Sequence, residues 1–383
     1  MRITDVKVLI HERRLGFVGN PPLPPSDIMP MGVVRILTDE GVEGNVFVGG
    51  PVPAPIQGRQ IVESLKPLLV GRDPLDIGAL WEAMWKRRAV VSPMAIGGVD
   101  VALWDIAGKV AGLPIHRLLG TYRAKIPAYI SSWVHRSEQA YVEEAMHYQA
   151  EGWAGYKLHP LTQLRMFGVD TSIGIARDIE TCRQVRAAVG DEMCLMLDSA
   201  WAYTYDEALR VGRAIEALDF HWYEDPLQAD DLHGYRRLCA KLDIPIVATE
   251  VTEGSLWAMP PWVTERATDA LRGDVMLKGG LTPLMKIAHL ADAFRMNCEV
   301  HDGFTSLGNV ACLHAVMAMP NTSMFEVITI NESGTYGLDH LNYGLAEPFE
   351  FDADRNVLAP TRPGLGYAID WDLINSRVAT EFA

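Results

Sequence analysis

Cysteine is scarce in this 383-residue chain. Cys182, Cys194, Cys239, Cys298 and Cys312 are scattered, odd in number and never spaced as CxxC. That argues against a disulfide scaffold or a structural zinc site, and for a reduced, cytoplasmic setting. No apolar run approaches the ~20 residues needed to cross a bilayer, although 49% of residues are hydrophobic, enough for a sizeable core. The opening residues, MRITDVKVLI, alternate like a strand and lack the apolar stretch of a secretory signal. Positive charge is also short: 34 Lys and Arg against 49 Asp and Glu leave a formal charge of −15. Nucleic acid and membranes are therefore not expected as partners. A small carboxylate substrate remains compatible, because a bound metal and a lysine reverse the sign locally.

The length exceeds an ordinary single domain, and two rhythms divide it. Residues 1–124 read as an α+β unit. MRITDVKVLIHE and MGVVRILTDEGVEGNVFVG look like antiparallel strands, joined by a Pro/Gly-rich surface loop, LGFVGNPPLPPSDIMP. Helical patterns follow, ending in GGVDVALWDIAGKVAGLPIHRLLG. From 125 to 334, short apolar runs alternate with helical stretches, as in a parallel α/β barrel. Eight strand ends are expected near Ser131, His159, Asp198, Glu224, Glu250, Asp274, His301 and Glu326. Thr204 and Glu207 fit a capping box, and Thr282 before Pro283 fits an N-cap. Residues 335–383 turn irregular again and are expected to pack back on the first unit.

Three of these ends carry the most information. CLMLDSA, HWYEDPL and PIVATEV end in Asp198, Glu224 and Glu250, with 26 residues separating each acid from the next. In a parallel barrel the C-terminal strand ends share one mouth, where catalysis is housed. Three carboxylates converging there repel one another unless a hard, oxygen-preferring divalent cation lies between them. Asp274 and His301 end neighbouring strands, and a carboxylate beside an imidazole orients a general base. Across the barrel, GYKLHP puts Lys157 and His159 two residues apart on one strand face. Glu326 closes the ring. Trp133 and Trp201, just past strand ends, could line the mouth or simply pack.

Taken together, these segments, with the Gly279-Gly280 turn, resemble the enolase superfamily, mandelate racemase subgroup. The resemblance implies a modified TIM barrel, (β/α)7β, capped by an α+β domain made of the N-terminal region and the C-terminal tail. It implies Mg²⁺ held by Asp198, Glu224 and Glu250, with Asp274 and His301 as one acid/base. It also implies a homo-oligomer, and specificity set by cap loops, here near residues 15–29 and 49–57.

Three departures stand out. The subgroup's Lys-x-Lys motif is Lys157-Leu-His159 here, so the second base is His159 or Lys157. Ala200 replaces an asparagine common two residues after the first ligand. The segment PLTQLRMFGVDTSIG is longer than usual and reads as a lid or an oligomer contact. Lys278, in VMLKGG, competes with Asp274 for the sixth-strand position, and counting back from the glycine pair favours Asp274. Catalysis would begin by removing a proton next to a carboxylate. The leading expectation is then β-elimination of water from an acid sugar, giving a 2-keto-3-deoxy acid. The alternatives are a racemase or epimerase of a 2-hydroxy acid and, more remotely, a non-catalytic binding barrel.

Overall fold

A computed structural model describes residues 1–14, 28–165, 168, 170, 172–329 and 336–383. Most of the loop expected over 15–30 lies outside the described residues, as do positions 166, 167, 169 and 171 of the long segment after His159. Strands β1 (Ile3–Arg14), β2 (Ile28–Thr38) and β3 (Glu43–Val48) form an antiparallel meander, with Val8 opposite Val34 and Val34 opposite Val46. Alternation in β1 buries Val6, Val8 and Ile10 on one face, the pattern of a half-covered sheet. The helix Pro93–Ala111 covers that face. Its start carries Ser92 as N-cap with proline in the first turn, and its end carries Gly112 in the left-handed region.

The barrel follows. Its strands are β4 (Lys125–Ser131), β5 (Gly155–Leu158), β6 (Cys194–Asp198), β7 (Trp222–Glu224), β8 (Ile246–Ala248), β9 (Ala270–Gly273), β10 (Asn297–Val300) and β11 (Phe325–Ile328). They pair in parallel from β4 round to β10, with β11 on the other side of β4. Among the described residues one α-helix separates each strand from the next, seven in all. The fold is thus α/β, a (β/α)7β barrel with an α+β cap. Among the described residues no ladder joins β10 to β11. Instead, the Cys298 N–H donates to the Asn321 carbonyl at 2.8 Å.

In the tail, β12 (Asn356–Leu358) pairs with the start of β4, and β13 (Val378–Phe382) pairs with β1. The tail therefore touches both barrel and cap. Among the described residues no helix is long and apolar enough to cross a membrane, and all five cysteines are free.

The capping box forms as expected, with Thr204 and Glu207 bonded reciprocally. The second helix start does not. Gly280, not Thr282, caps the helix Leu281–Ala293. Thr282 lies inside the first turn, where its N–H and hydroxyl donate to the Asp100 carboxylate at 2.9 and 2.7 Å. A cap-domain acid thus does the work expected of a local hydroxyl. The two units meet closely here: a Cβ on Gly97 would collide with the Val275 carbonyl, so only glycine lets the cap helix approach the turn after Asp274.

Candidate active site

Inside the barrel, side chains stack in layers set by the two-residue period of a strand. Tyr129, Met196, Trp222, Val247, Ala270 and Met324 form a buried apolar floor. Two residues further along their strands stand Asp198 above Met196, Glu224 above Trp222, Arg272 above Ala270 and Glu326 above Met324. Lys157 stands two residues beyond Gly155 in the same way. The polar ring is therefore a consequence of alternation. β8 is the exception, because alternation from Val247 would bring in Thr249. The chain instead turns at Thr249, whose φ is 91°, and Glu250 enters the ring two residues past the strand.

Asp198, Glu224 and Glu250 are all buried, and each offers an oxygen within 4.8 Å of the others. Among the described residues no other trio of His, Cys, Asp or Glu is so arranged. The Lys157 Nζ lies 3.1 Å from both Glu224 oxygens, 3.1 Å from Asp198 Oδ2 and 2.6 Å from Glu326 Oε1. His159 Nε2 stands 3.2 Å from the same Asp198 oxygen, and Trp133 lies beside it with ring centroids 6.4 Å apart. On the opposite side His301 Nδ1 faces Asp274 Oδ2 at 3.2 Å, which leaves Nε2 toward the mouth, 3.6 Å from Glu250 Oε1. Asp274 is fixed by the N–H groups of Met276 and Leu277, at 2.6 and 2.8 Å. The expected site residues are thus brought together around one mouth, although Glu326 sits within its strand rather than at its end.

Several members of the ring were not anticipated. Arg272 is fully buried; its Nε contacts Glu224 Oε1, and its Nη2 lies 2.6 Å from Glu326 Oε2. Tyr129 accepts from Arg272 Nη2 at 3.2 Å, and Trp222 Nε1 donates to Glu224 Oε2 at 3.0 Å. Arg272 precedes Asp274 by two residues, so alternation along ALRGD could have found it. Asp225 could not have been read this way, because its place behind Glu224 depends on a left-handed backbone turn, φ 38°.

The electrostatics fit a cation. Burial, reinforced by Asp198 and Glu326, pushes Glu224 up to about 8 against the pull of Arg272 and Lys157. Burial also raises Glu250. Although burial acts on Asp198 too, neighbouring Lys157 and His159 hold it well below the usual range. Despite burial, Glu250, Glu326 and Asp274 raise the His301 imidazole to about 10. The three oxygen donors are hard ligands, and a divalent ion among them would relieve their mutual repulsion.

Residues 27–120 match the mandelate racemase / muconate lactonizing enzyme N-terminal domain, and residues 140–373 match the enolase C-terminal domain-like family. The chain belongs to the enolase superfamily. Within that superfamily, an arabinonate dehydratase from Saccharolobus solfataricus is 32% identical over 318 residues, 81% of this chain and 80% of that protein. A D-galactonate dehydratase from Verminephrobacter eiseniae is 30% identical over 361 residues, 90% of each. The crystal structure of D-glucarate dehydratase from Agrobacterium tumefaciens complexed with magnesium matches with a TM-score of 0.86 and 32% identity, covering 99% of this chain and 100% of that one. This enolase-superfamily member is an enzyme, and the remote expectation of a non-catalytic barrel falls away.

Proposed function

We propose that the chain is a Mg²⁺-dependent dehydratase of an acid sugar or related hydroxy acid. The observation that carries this reading is the single ring in which three buried carboxylates stand between an oriented imidazole and a buried ammonium. Asp198, Glu224 and Glu250 would hold the metal. Bound there, Mg²⁺ would supply positive charge where the substrate carboxylate gains negative charge as its α-proton leaves.

The protein's own groups account for the proton movements. Asp274 holds His301 through Nδ1, so Nε2 is the atom that takes the α-proton or protonates the leaving hydroxyl. Lys157 balances Asp198, Glu224 and Glu326 from the side of the mouth that also carries His159. His159 stands across the mouth as the second acid/base candidate. Loss of the α-proton and the β-hydroxyl releases one water, and the resulting enol becomes a 2-keto-3-deoxy acid. The relatives described above, named for sugar-acid dehydration, support the same class.

One observation favours a second reading, a racemase or epimerase: titratable groups flank the mouth on both sides, His301 on one and Lys157 with His159 on the other. Incubating a panel of acid sugars with the Mg²⁺-loaded enzyme in D₂O separates the two. A 2-keto-3-deoxy acid carrying deuterium at C3 is expected. Recovery of inverted, α-deuterated substrate without keto acid would assign the isomerase reading instead.

A further inference from the structure

Lys278 is fully buried yet has no part in the chemistry proposed above. Its Nζ touches neither His301 nor the carboxylates that ring the mouth. It donates to the carbonyl of Thr249 and, at 3.2 Å, to that of Thr252. These two carbonyls bracket Glu250.

The turn that carries Glu250 needs such support. A β-branched residue with positive φ is a genuine outlier that persists only when its surroundings over-determine it. Thr249 has its hydroxyl spent on β9, donating to the Arg272 carbonyl at 3.0 Å and accepting the Arg272 N–H at 3.1 Å. Its own carbonyl is therefore turned away from the ladder and must find donors elsewhere. Thr252 N–H supplies one at 3.2 Å, and the lysine supplies the other. The lysine stem is itself fixed. It crosses Gly273 so closely that a Cβ there would lie 2.7 Å from its Cγ and Cε. The Lys278 carbonyl accepts from Ser255 Oγ at 2.7 Å. One side chain thus ties the turn after β8 to the turn after β9.

We propose that Lys278 is a positioning residue for the metal site, clamping residues 249–252 so that Glu250 faces Asp198, Glu224 and His301. The proposal rests on the reading of the three carboxylates as metal ligands. Outer partners that orient a ligand typically alter metal affinity by 10–100-fold when removed.

Calorimetric titration of the full, metal-free chain with MgCl₂ tests this. Lys278→Met keeps the stem and removes the donors, so it should weaken Mg²⁺ binding by about 10–100-fold while the circular dichroism of the metal-free chain stays unchanged. Lys278→Gln, which keeps one neutral donor, should fall between the two. A wild-type chain that binds no Mg²⁺ would defeat the metal reading itself. A wild-type chain that binds, with Lys278→Met binding equally well, would overturn the clamp alone. Should Lys278→Met fail to fold, Gly273→Ala decides, because it displaces the stem without removing the ammonium. Weaker binding by folded Gly273→Ala supports the clamp, and unchanged binding overturns it.

Discussion

At the scale of single residues, the ring separates groups that hold charge from groups that move protons. Lys157 and Arg272 each contact more than one carboxylate, so both balance fixed charge. His301 differs, because one nitrogen is committed to Asp274 and the other is left toward the mouth. His301→Asn should lower turnover by roughly 10²–10⁴-fold, the usual worth of a positioned acid/base, while Mg²⁺ affinity measured by titration stays within a few-fold. Turnover near the wild-type level would move the proton transfer to His159 or Lys157. Glu224→Gln removes an anionic ligand and leaves Arg272 and Lys157 less balanced. It should abolish turnover and weaken Mg²⁺ binding, both read on a chain whose circular dichroism is unchanged.

At the scale of elements, most of the ring is produced by short strands that alternate, and the helices between them only need to start and stop in the right places. The helix Tyr205–Glu216 starts at a complete capping box. Thr204→Ala removes the hydroxyl that accepts the Glu207 N–H, and should cost about 1 kcal/mol. Thermal unfolding would show it as a lower midpoint, with Mg²⁺ affinity unaffected. The helix Leu281–Ala293 lacks such a local device and borrows Asp100 from the cap. Its start is therefore a tertiary feature.

At the scale of the whole molecule, that borrowed carboxylate couples cap to barrel, assisted by Trp104 donating to Thr282 at 2.9 Å and Trp81 donating to the Gly279 carbonyl at 2.7 Å. Burial pushes Asp100 up to about 7 from its ordinary 3.8, against the hydrogen bonds from Thr282. A carboxyl raised in this way is more readily protonated in the folded chain than in the unfolded one. Its contribution is fullest below pH 3.8 and is lost as pH rises toward 7, by on the order of 4 kcal/mol at 1.36 kcal/mol per unit. Asp100→Asn keeps an acceptor for Thr282 and removes the titration. Its unfolding free energy relative to wild type should therefore rise between pH 4 and pH 7, as denaturant titrations at several pH values would show. A constant difference would mean that Asp100 is already ionised at low pH. Chelation acts at the same scale: EDTA should abolish turnover, and added Mg²⁺ should restore it.

The class of fold, the cap ahead of the barrel and the identity of most of the ring were legible in the residues alone. Each depends on local spacing: period-two alternation makes strands, βα units repeat, and acids at strand ends share one mouth. Asp198, Glu224, Asp274 and His301 were legible because each ends or directly follows a regular strand. Arg272 was legible in principle by the same alternation. How Glu250 enters the ring was not legible, because its 26-residue spacing conceals a strand that stops early and a threonine turned to positive φ. The same holds for Lys278, which competes in sequence as a catalytic base and in space donates to two carbonyls of a neighbouring turn. The Asp100 cap belongs here too, since 182 residues separate it from Thr282. In each case the deciding partner is a backbone group or carboxylate far away in sequence, and no local pattern encodes a hydrogen bond that packing alone brings within reach.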